Sequence, residues 1–243
     1  MTTFLLIHGG NCTGRFWDRV VARLAAPSVA VDLPGRGDRP ADLMTVSLDQ
    51  HAASVVTDLR AAAPDGPVVI AAHSSGGLIV PRVVAALGDR VTAVVLSSAS
   101  VPPDGGSGLD CMKPSHRERM VAGVAWARAE GERLVTPVPE DPEALREAYG
   151  ERLDDETLAF VSERLVEDSF NVYFDPVSWA EVAVPITYVR AARDTAVPPS
   201  LQDDMIARLP GAPTVLDWDC GHIPPVTRPD EFADLLGSVS ELG

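Results

Sequence analysis

Short runs of apolar residues recur along the chain, and each is bounded by Gly, Pro or Asp. Their apolar character is continuous rather than alternating, which is typical of strands buried on both faces of a sheet. Six such runs predict strands, namely Phe4–Ile7, Val29–Val31, Val68–Ala71, Val91–Leu96, Ile186–Val189 and Thr214–Leu216. Helical patterns separate most of these runs, and this alternation favours a parallel sheet with right-handed crossovers. We therefore expect an α/β fold.

The predicted helices are recognised by apolar stripes and by their first residues. Phe16–Ala25 carries a stripe of apolar residues on one face. Leu48–Ala62 follows a capping box, in which Ser47 and Gln50 each satisfy an unpaired backbone amide of the other. A further helix, Leu78–Leu87, is expected directly after the third strand.

The alternation stops between residues 101 and 180, where no strand is predicted. Helix starts recur there: Ser115–Glu118 is a capping box, Asp141 precedes a proline at a first helical position, and 154–167 has one apolar face. A helical insertion between two sheet strands lies over one end of the sheet and can act as a lid. We predict a core at residues 1–100 and 182–243 and a helical cap at 101–181.

A serine stands at the turn between the third predicted strand and its helix. Ser74 has small residues, Ala72 and Gly76, two positions away on either side. This spacing is typical of a nucleophile elbow, a turn so tight that larger neighbouring side chains would collide. The strained turn holds the hydroxyl above the sheet and directs the following helix N-terminus at the site. We predict that Ser74 is a catalytic nucleophile.

A serine hydroxyl needs a base that takes its proton. Of the five histidines, His222 lies in the loop after the last predicted strand, at the sheet edge where such folds carry chemistry. His8 is expected to shape the loop after the first strand, and His73 to point away from the nucleophile. His51 and His116 lie in helical segments and are expected to be solvated. The sequence therefore favours His222 as the base.

The base in turn needs a carboxylate that orients it. Asp194 follows the fifth predicted strand, which gives the order nucleophile, acid, base, unlike either major serine-protease class. Asp217 and Asp219 share the loop of His222 and would need an awkward reversal to reach its ring. Asp104, after the fourth predicted strand, remains an alternative position for the acid.

Two backbone N–H groups must stabilise the oxyanion that forms during acyl transfer. Ser75, directly after the nucleophile, is expected to supply one. The other is expected from Gly10 in the loop after the first strand, because glycine lets the backbone approach a substrate closely. Asn11 and Trp126 are predicted to contact the substrate. The alternative for Trp126 is a place in the apolar core of the insertion itself.

The charge balance limits the range of partners. Acidic residues outnumber basic ones by 35 to 20, a formal net charge of −15, whereas nucleic acids and anionic membranes attract clustered Lys and Arg. No apolar run approaches a membrane span, and the three cysteines lack framework spacing, so no disulfide is expected. Metal-ligand spacings and phosphate loops are also missing from the sequence, and we expect no metal and no cofactor. We predict a cytoplasmic protein that acts on a small molecule, with a homodimer left open.

These motifs resemble those of the α/β-hydrolase superfamily, in family order over essentially the whole chain. The segments that carry the resemblance are His8–Gly10, Asp32–Asp38, the elbow at Ser74, Asp194, and Gly221–His222. The loop Arg193–Gln202 is similar to the acid loop of the branch that contains methyl-salicylate-type plant esterases, hydroxynitrile lyases and small bacterial esterases. The resemblance implies an α/β-hydrolase fold, with a mostly parallel sheet, helices on both faces and a helical cap.

Two positions distinguish the lyases of that branch from its esterases. The lyases carry Thr after the first-strand His and Lys after the catalytic His, whereas this chain has Gly9 and Ile223. A departing cyanide needs a nearby cation, which isoleucine does not supply. The resemblance therefore implies a serine esterase that cleaves an ester, lactone or thioester of a small apolar or aromatic molecule through an acyl-enzyme. A lyase or C–C bond-cleaving enzyme, and a non-catalytic ligand receptor on the same scaffold, remain the alternatives.

Overall fold

A six-stranded sheet forms the centre of the protein, whose computed structural model describes residues 1–241. The strands of the described chain are β1 (Thr3–Ile7), β2 (Ser28–Ala30), β3 (Val68–His73), β4 (Val91–Ser97), β5 (Val135–Thr136), β6 (Asp168–Ser169), β7 (Ile186–Ala191) and β8 (Thr214–Trp218). The large sheet has the order β2–β1–β3–β4–β7–β8, and every neighbouring pair is parallel. This sheet confirms the predicted parallel α/β architecture.

Helices cover both faces of the sheet. They are α1 (Asp18–Val21), α2 (Leu48–Ala62), α3 (Val80–Leu87), α4 (Pro114–Glu130), α5 (Pro142–Glu147), α6 (Asp155–Ser162), α7 (Pro199–Arg208), α8 (Pro224–Thr227) and α9 (Pro229–Ser240). One apolar layer packs α2, α3 and α7 against the sheet, and the other packs α1, α6 and α9. Burial of each large aliphatic side chain in such a layer contributes about 1.5–3 kcal/mol to folding before entropic costs.

The position of each strand in the sheet decides its burial. All residues of β1 and β3 are buried, as their continuous apolar runs predict. In contrast, β8 lies at an edge, and its Thr214, Val215 and Asp217 are exposed. The expectation of burial on both faces is therefore wrong for β8 and for the other edge strand, β2, none of whose residues is fully buried, because an edge strand has a neighbour on one side only. The loops after β1, β3, β7 and β8 emerge at one end of the sheet, where parallel folds place their sites.

Two predicted helices begin as tighter turns. Gly14–Trp17 forms a 3-10 turn before α1, and Ser74–Ile79 forms another before α3. The second of these starts at the strained serine, and 3-10 geometry is common where a helix begins under such constraint. The capping box at the start of α2 is confirmed, because the Ser47 Oγ accepts from the Gln50 amide at 3.3 Å and the Gln50 Oε1 accepts from the Ser47 amide at 2.9 Å.

The segment between β4 and β7 is helical but not free of strands. Besides α4, α5 and α6 it contains β5 and β6, which pair antiparallel. Strands of two residues carry no periodic signal, so the sequence could not predict them. The expected capping box at Ser115 is wrong, since α4 begins one residue earlier with Pro114 at its first position and without a side-chain cap. The division into core and cap at residues 101 and 181 stays a prediction.

Candidate active site

The turn after β3 holds Ser74 in a strained conformation. Its φ of 50° lies in the left-handed region, which non-glycine residues seldom adopt. A Cβ at Gly76 would lie 2.6 Å from the His8 carbonyl oxygen, and one at Gly77 would lie 2.6 Å from the Ser100 carbonyl oxygen. Gly76 and Gly77 therefore have no room for a side chain, because backbone carbonyl oxygens lie against both. This geometry is the one expected for a nucleophile elbow.

A chain of hydrogen bonds joins the three side chains that were predicted to act together. His222 Nε2 lies 3.1 Å from Ser74 Oγ, and His222 Nδ1 lies 2.7 Å from Asp194 Oδ2. Both partners of the shorter bond are buried, with 6% exposure for His222 and 3% for Asp194. With the proton on Nδ1 directed at the carboxylate, Nε2 is free to accept the serine proton. This arrangement can perform nucleophilic acyl transfer.

The carboxylate of Asp194 is fixed by its own neighbours. Its Oδ1 accepts a hydrogen bond from the Val197 amide at 2.8 Å, and its Oδ2 accepts from Gln202 Nε2 at 3.4 Å. Gln202 is fully buried and also bonds both backbone groups of Ala191 at the end of β7. Sequence reasoning included Gln202 in the segment 193–202 that resembles an acid loop but assigned it no role, because its contacts with Ala191 and Asp194 are tertiary.

The alternative acids are engaged elsewhere. Asp104 is exposed and accepts a hydrogen bond from Ser178. Asp217 pairs with Arg190 at 2.9 Å, and Asp219 pairs with Arg193 at 3.0 Å. Asp194 is thus the carboxylate that contacts the His222 ring.

A second histidine lies beside the first. The ring centroid of His73 is 4.8 Å from that of His222, and its other face stacks on Phe16 at 4.7 Å. Burial and the neighbouring His222 hold the pKa of His73 well below its ordinary value, so this ring stays neutral. The expectation that His73 points away is therefore incomplete: it borders the same cavity as Ser74 and supports the catalytic ring by packing.

The two amides predicted to bind an oxyanion border the nucleophile. Ser75 follows it directly, and Gly10 lines the same cavity. Within residues 1–241 neither N–H has an acceptor in the protein. A Cβ at Gly10 would lie 3.0 Å from Tyr173 Oη and 3.2 Å from Asp168 Oδ2, so a side chain at this position would have to displace buried polar groups. Glycine is required here by the close approach of these protein groups, whereas the expected approach of a substrate to this backbone stays a prediction.

A cavity of about 60 Å³ opens over Ser74. Its walls are mainly apolar and come from both parts of the chain, with Phe16 and Ile223 on one side and Phe160, Val161 and Leu165 on the other. Cys12 also borders it, and burial raises the pKa of this thiol to about 12, so the thiol stays protonated. A small apolar molecule matches the chemistry of these walls.

Arg164 is the one charged residue that borders this cavity in the described chain, and its charge is already neutralised. Its Nη2 bonds Asp18 at 2.9 Å, and its Nε and Nη1 donate to the carbonyl oxygens of Arg15 and Phe160. The guanidinium also stands 3.6 Å from the centroid of the Phe160 ring. Arg164 therefore orders an aromatic wall rather than offering a free cation to a substrate.

The two predicted substrate contacts are not among the residues that line the cavity. Trp126 is 57% exposed on the outer side of α4, so the prediction that it contacts substrate is wrong. It is also not part of the insertion's core, because the inward face of α4 carries Met120, Val124 and Ala127. Asn11 does not line the cavity either, since its amide side chain donates to the carbonyl oxygens of Thr136 and Val166 at 3.2 and 2.9 Å. These are non-local contacts that a sequence pattern does not reveal.

The cavity walls from the insertion were missed at the sequence level. Tyr149, Phe160, Arg164 and Leu165 line the cavity, yet only the apolar face predicted for 154–167 gave a signal for them. That face predicted a helix and did not assign it to a cavity wall. His51, expected to be solvated, is 2% exposed on the inner face of α2.

Comparison with known proteins agrees with this geometry. The family model described as "Alpha/beta hydrolase family" matches residues 4–235. The chain is 32% identical to lipase LipV of Mycobacterium tuberculosis, over 96% of this chain and 91% of the lipase. It is 27% identical to esterase PIR7B of Oryza sativa subsp. japonica, over 96% of this chain and 93% of the esterase. These names agree with the predicted carboxylic ester hydrolase.

A solved structure has the same fold. An extracellular α/β-hydrolase from a Paenibacillus species, described as sharing structural and functional homology with tobacco salicylic acid binding protein 2, superposes with a TM-score of 0.83 at 20% identity, over 98% of this chain and 99% of that one. Such identity is evidence for the fold alone. The family match over nearly the whole chain confirms the predicted family. This chain belongs to the alpha/beta hydrolase family.

Proposed function

We propose that this protein is a serine carboxylesterase that hydrolyses a small, uncharged, apolar ester through an acyl-enzyme on Ser74. The observation that carries the proposal is the hydrogen-bonded chain from Ser74 through His222 to Asp194 at the base of an apolar cavity. Thioesters and lactones have the same reacting carbonyl, and the proposal includes them.

Acylation begins when His222 Nε2 accepts the proton of Ser74 Oγ and the oxygen attacks the ester carbonyl carbon. The carbonyl oxygen becomes an oxyanion and accepts hydrogen bonds from the amides of Gly10 and Ser75. Loss of one such donor typically costs about 10²–10³ in kcat, so this pair contributes a large share of the rate. Collapse of the intermediate breaks the bond to the leaving oxygen, which receives the proton from His222.

Deacylation repeats these steps with water as the nucleophile. His222 takes a proton from water, the hydroxide oxygen attacks the acyl carbon, and the proton returns to Ser74 Oγ as the acid is released. Asp194 accepts the Nδ1 hydrogen bond and stabilises the imidazolium that forms in each half-reaction. The neighbouring His73 is neutral and so adds no second positive charge beside the His222 imidazolium.

The cavity supports an uncharged substrate. Ile223, directly after the base, is 3% exposed and presents apolar surface where a charged leaving group would need a cation. The one guanidinium that borders the cavity in the described residues is paired with Asp18. The names of the relatives, a lipase and an esterase, are consistent with such substrates.

Active-site labelling tests the proposal. A fluorophosphonate should label the protein at Ser74, and p-nitrophenyl acetate should be hydrolysed. Ser74→Ala should lose labelling and about 10³-fold or more in kcat. Ser115→Ala, an exposed serine at the start of α4, serves as the matched control and should keep both properties. Retained turnover in Ser74→Ala, or labelling at another residue, would contradict the proposal.

Substrate charge can be tested with a matched pair. The butyryl ester and the succinyl half-ester of p-nitrophenol have similar length but differ by one carboxylate. Burial of an unpaired carboxylate is costly, so kcat/KM should be about tenfold or more lower for the half-ester. Equal values for the two would contradict the proposal that the substrate is uncharged.

A further inference from the structure

The loop that carries Gly10 is held by a buried ion pair whose members come from distant parts of the chain. Arg36 lies after β2, and Asp168 lies in β6 of the insertion between β4 and β7. Their side chains are 2% and 1% exposed, and Arg36 Nη2 contacts Asp168 Oδ1 directly. A buried pair of this kind is weak evidence for stability alone, so a second reason for its presence is worth seeking.

Both members of the pair also contact the backbone beside Gly10. Arg36 Nη1 donates to the Gly9 carbonyl oxygen at 3.3 Å. Asp168 Oδ2 accepts from the Asn11 amide at 3.1 Å. The pair thus binds the peptide groups on both sides of Gly10, one through its carbonyl and the other through its N–H.

Planarity of the peptide bond converts these contacts into an orientation. The Gly9 carbonyl and the Gly10 N–H belong to one planar trans unit and point in opposite directions. A donor that fixes the carbonyl therefore fixes the direction of the N–H. His8 Nδ1 lies 2.8 Å from the same carbonyl oxygen and adds a second restraint.

The contact with Asp168 also determines which amide of this loop is available to bind an oxyanion. Because the Asn11 N–H is bonded to Asp168, it is not available to an oxyanion, whereas the Gly10 N–H borders the cavity and has no acceptor within residues 1–241. Asn11 itself has a φ of 54°, in the left-handed region. Such a conformation persists only where surrounding contacts determine it.

We propose that Arg36 and Asp168 are positioning residues that orient and polarise the Gly10 peptide as an oxyanion donor. A guanidinium on the carbonyl of a peptide withdraws electron density and strengthens its N–H as a donor. Asp168 contacts the loop of Gly10 from the insertion between β4 and β7. The proposed oxyanion site is therefore held by residues of both the sheet domain and the insertion. This inference rests on the proposed acyl transfer at Ser74.

The charges of Arg36 and Asp168 predict that substitutions of the two residues lower kcat by different amounts. Asp168 Oδ2 lies 3.2 Å from the position of a Cβ on Gly10, so its negative charge is close to the developing oxyanion. Arg36 compensates that charge. Removal of the arginine leaves an unpaired carboxylate near the transition state, whereas Asp168→Asn leaves a cation there. Arg36→Gln should therefore be more harmful to kcat than Asp168→Asn.

The test separates transition-state from ground-state effects. For Asp168→Asn and Arg36→Lys we expect kcat for p-nitrophenyl butyrate to fall about 10- to 100-fold, with KM changed less than about threefold. Affinity for a trifluoromethyl ketone, which forms a tetrahedral oxyanion on the serine, should weaken in parallel with kcat. Rates are expressed per site titrated with a fluorophosphonate, so loss of folded protein does not mimic the effect.

A second core-to-insertion ion pair provides the control. Glu156 on α6 pairs with Arg19 on α1 at 2.9 Å, away from the loop of Gly10. Glu156→Gln should keep kcat and ketone affinity within about twofold, because exposed pairs contribute about 0–1 kcal/mol. If both pair variants keep kcat per titrated site and ketone affinity within twofold, or change only KM, the positioning role is wrong. A failure of the natural protein to acylate Ser74 would instead contradict the proposed function.

Discussion

Gly150 lies directly against the backbone of Arg193, so that a Cβ at this glycine would stand 1.7 Å from the Arg193 carbonyl oxygen. The preceding residue, Tyr149, accepts a hydrogen bond from the His222 amide at 2.6 Å through its carbonyl oxygen. The connection between α5 and α6 thus touches both the loop of the acid and the loop of the base. Its packing bears on the geometry of the catalytic side chains.

We predict that Gly150→Ala lowers both stability and activity. A methyl group must displace the Arg193 peptide next to Asp194, and the φ of 85° is unfavourable for alanine as well. Displacement of catalytic groups by about 1 Å can cost about 10²-fold in rate. Thermal unfolding and kcat per titrated site measure the two effects.

Gly131→Ala is the matched control for this prediction. Gly131 also has a positive φ, 70°, but a Cβ there meets nothing within 4 Å. Gly131→Ala should lower the free energy of unfolding by about 1–2 kcal/mol, the cost of the left-handed conformation, and should retain its kcat. Equal losses of activity in the two variants would show that backbone strain, rather than contact with the acid loop, explains the effect.

The carboxylate of the triad gives a second prediction. Asp194→Asn should remain folded but lose about 10²–10⁴ in kcat, because the imidazole no longer has the partner that selects its tautomer. Asp104→Asn is the control, since Asp104 is exposed and bonded to Ser178. A larger loss in Asp104→Asn than in Asp194→Asn would reassign the acid. Steady-state kinetics with p-nitrophenyl acetate measure both.

The natural protein should not cleave mandelonitrile above background. Ile223 offers no charge to a departing cyanide, and it is buried in the cavity wall. Ile223→Lys should weaken ester hydrolysis, because it buries a cation near the imidazolium that forms, whereas Ile223→Met should retain it. Benzaldehyde release and ester hydrolysis are measured on the same preparations. Robust benzaldehyde release by the natural protein would contradict the esterase interpretation.

The geometry at Gly9 changes what a threonine there would do. A Cβ at this position would lie 2.8 Å from Ser74 Cβ and 3.1 Å from the His73 carbonyl oxygen. A threonine would therefore push on the elbow itself before it could contact a substrate. Gly9→Thr alone should abolish ester hydrolysis, with loss of fluorophosphonate labelling as the measurement. Unchanged labelling would show that the elbow accommodates the side chain by shifting.

Buried histidines predict a loss of stability in acid. Burial, with Arg36 nearby, lowers the pKa of His51 from 6.5 to about 3, and the pKa values of His8 and His73 are also well below their ordinary value. Below pH 6.5 the unfolded chain binds more protons at these sites than the folded chain. The free energy of unfolding should therefore fall as the pH drops from about 6.5 towards 3, by up to about 1.4 kcal/mol per pH unit for each histidine.

Urea denaturation at pH 7.5 and pH 5 measures this dependence. His51→Gln should reduce the difference between the two pH values, because one buried titrating group is removed. His116→Gln, at an exposed position on α4, should change it less. A difference that is the same in His51→Gln as in the natural protein would contradict the linkage.

The hydrogen-bonded arrangement of Ser74, His222 and Asp194 could be predicted from the sequence because each residue stands in a short motif at a strand end. Ser74 is identified by small neighbours two positions away, and His222 and Asp194 by loops that follow predicted strands. These signals are local, and the parallel sheet brings strand ends together without further information. The same reasoning predicted the parallel sheet and the helices between β4 and β7, and the resemblance carried by these motifs predicted the family.

The walls of the site could not be predicted, because they depend on contacts between distant residues. Asp168 and Asn11 are separated by 157 positions, and neither stands in a recognisable pattern. The aromatic side chain of Trp126 suggested a place in the cavity wall. Tertiary contacts, however, decide which face of α4 packs inward. Large aromatic residues are found both in cores and on surfaces, so their identity alone does not place them.

The attachment of the insertion on two sides has a consequence for how substrate enters. Asn11 ties it to the loop of Gly10, and Tyr149 ties it to the loop of His222. A hinge opening of the whole insertion would break these bonds and dismantle the catalytic geometry. Under the proposed function, monomeric substrate in solution therefore enters through the opening of the cavity, and the insertion does not open as a lid at a lipid surface. Hydrolysis should follow saturation kinetics without interfacial activation as an ester substrate passes its critical micelle concentration.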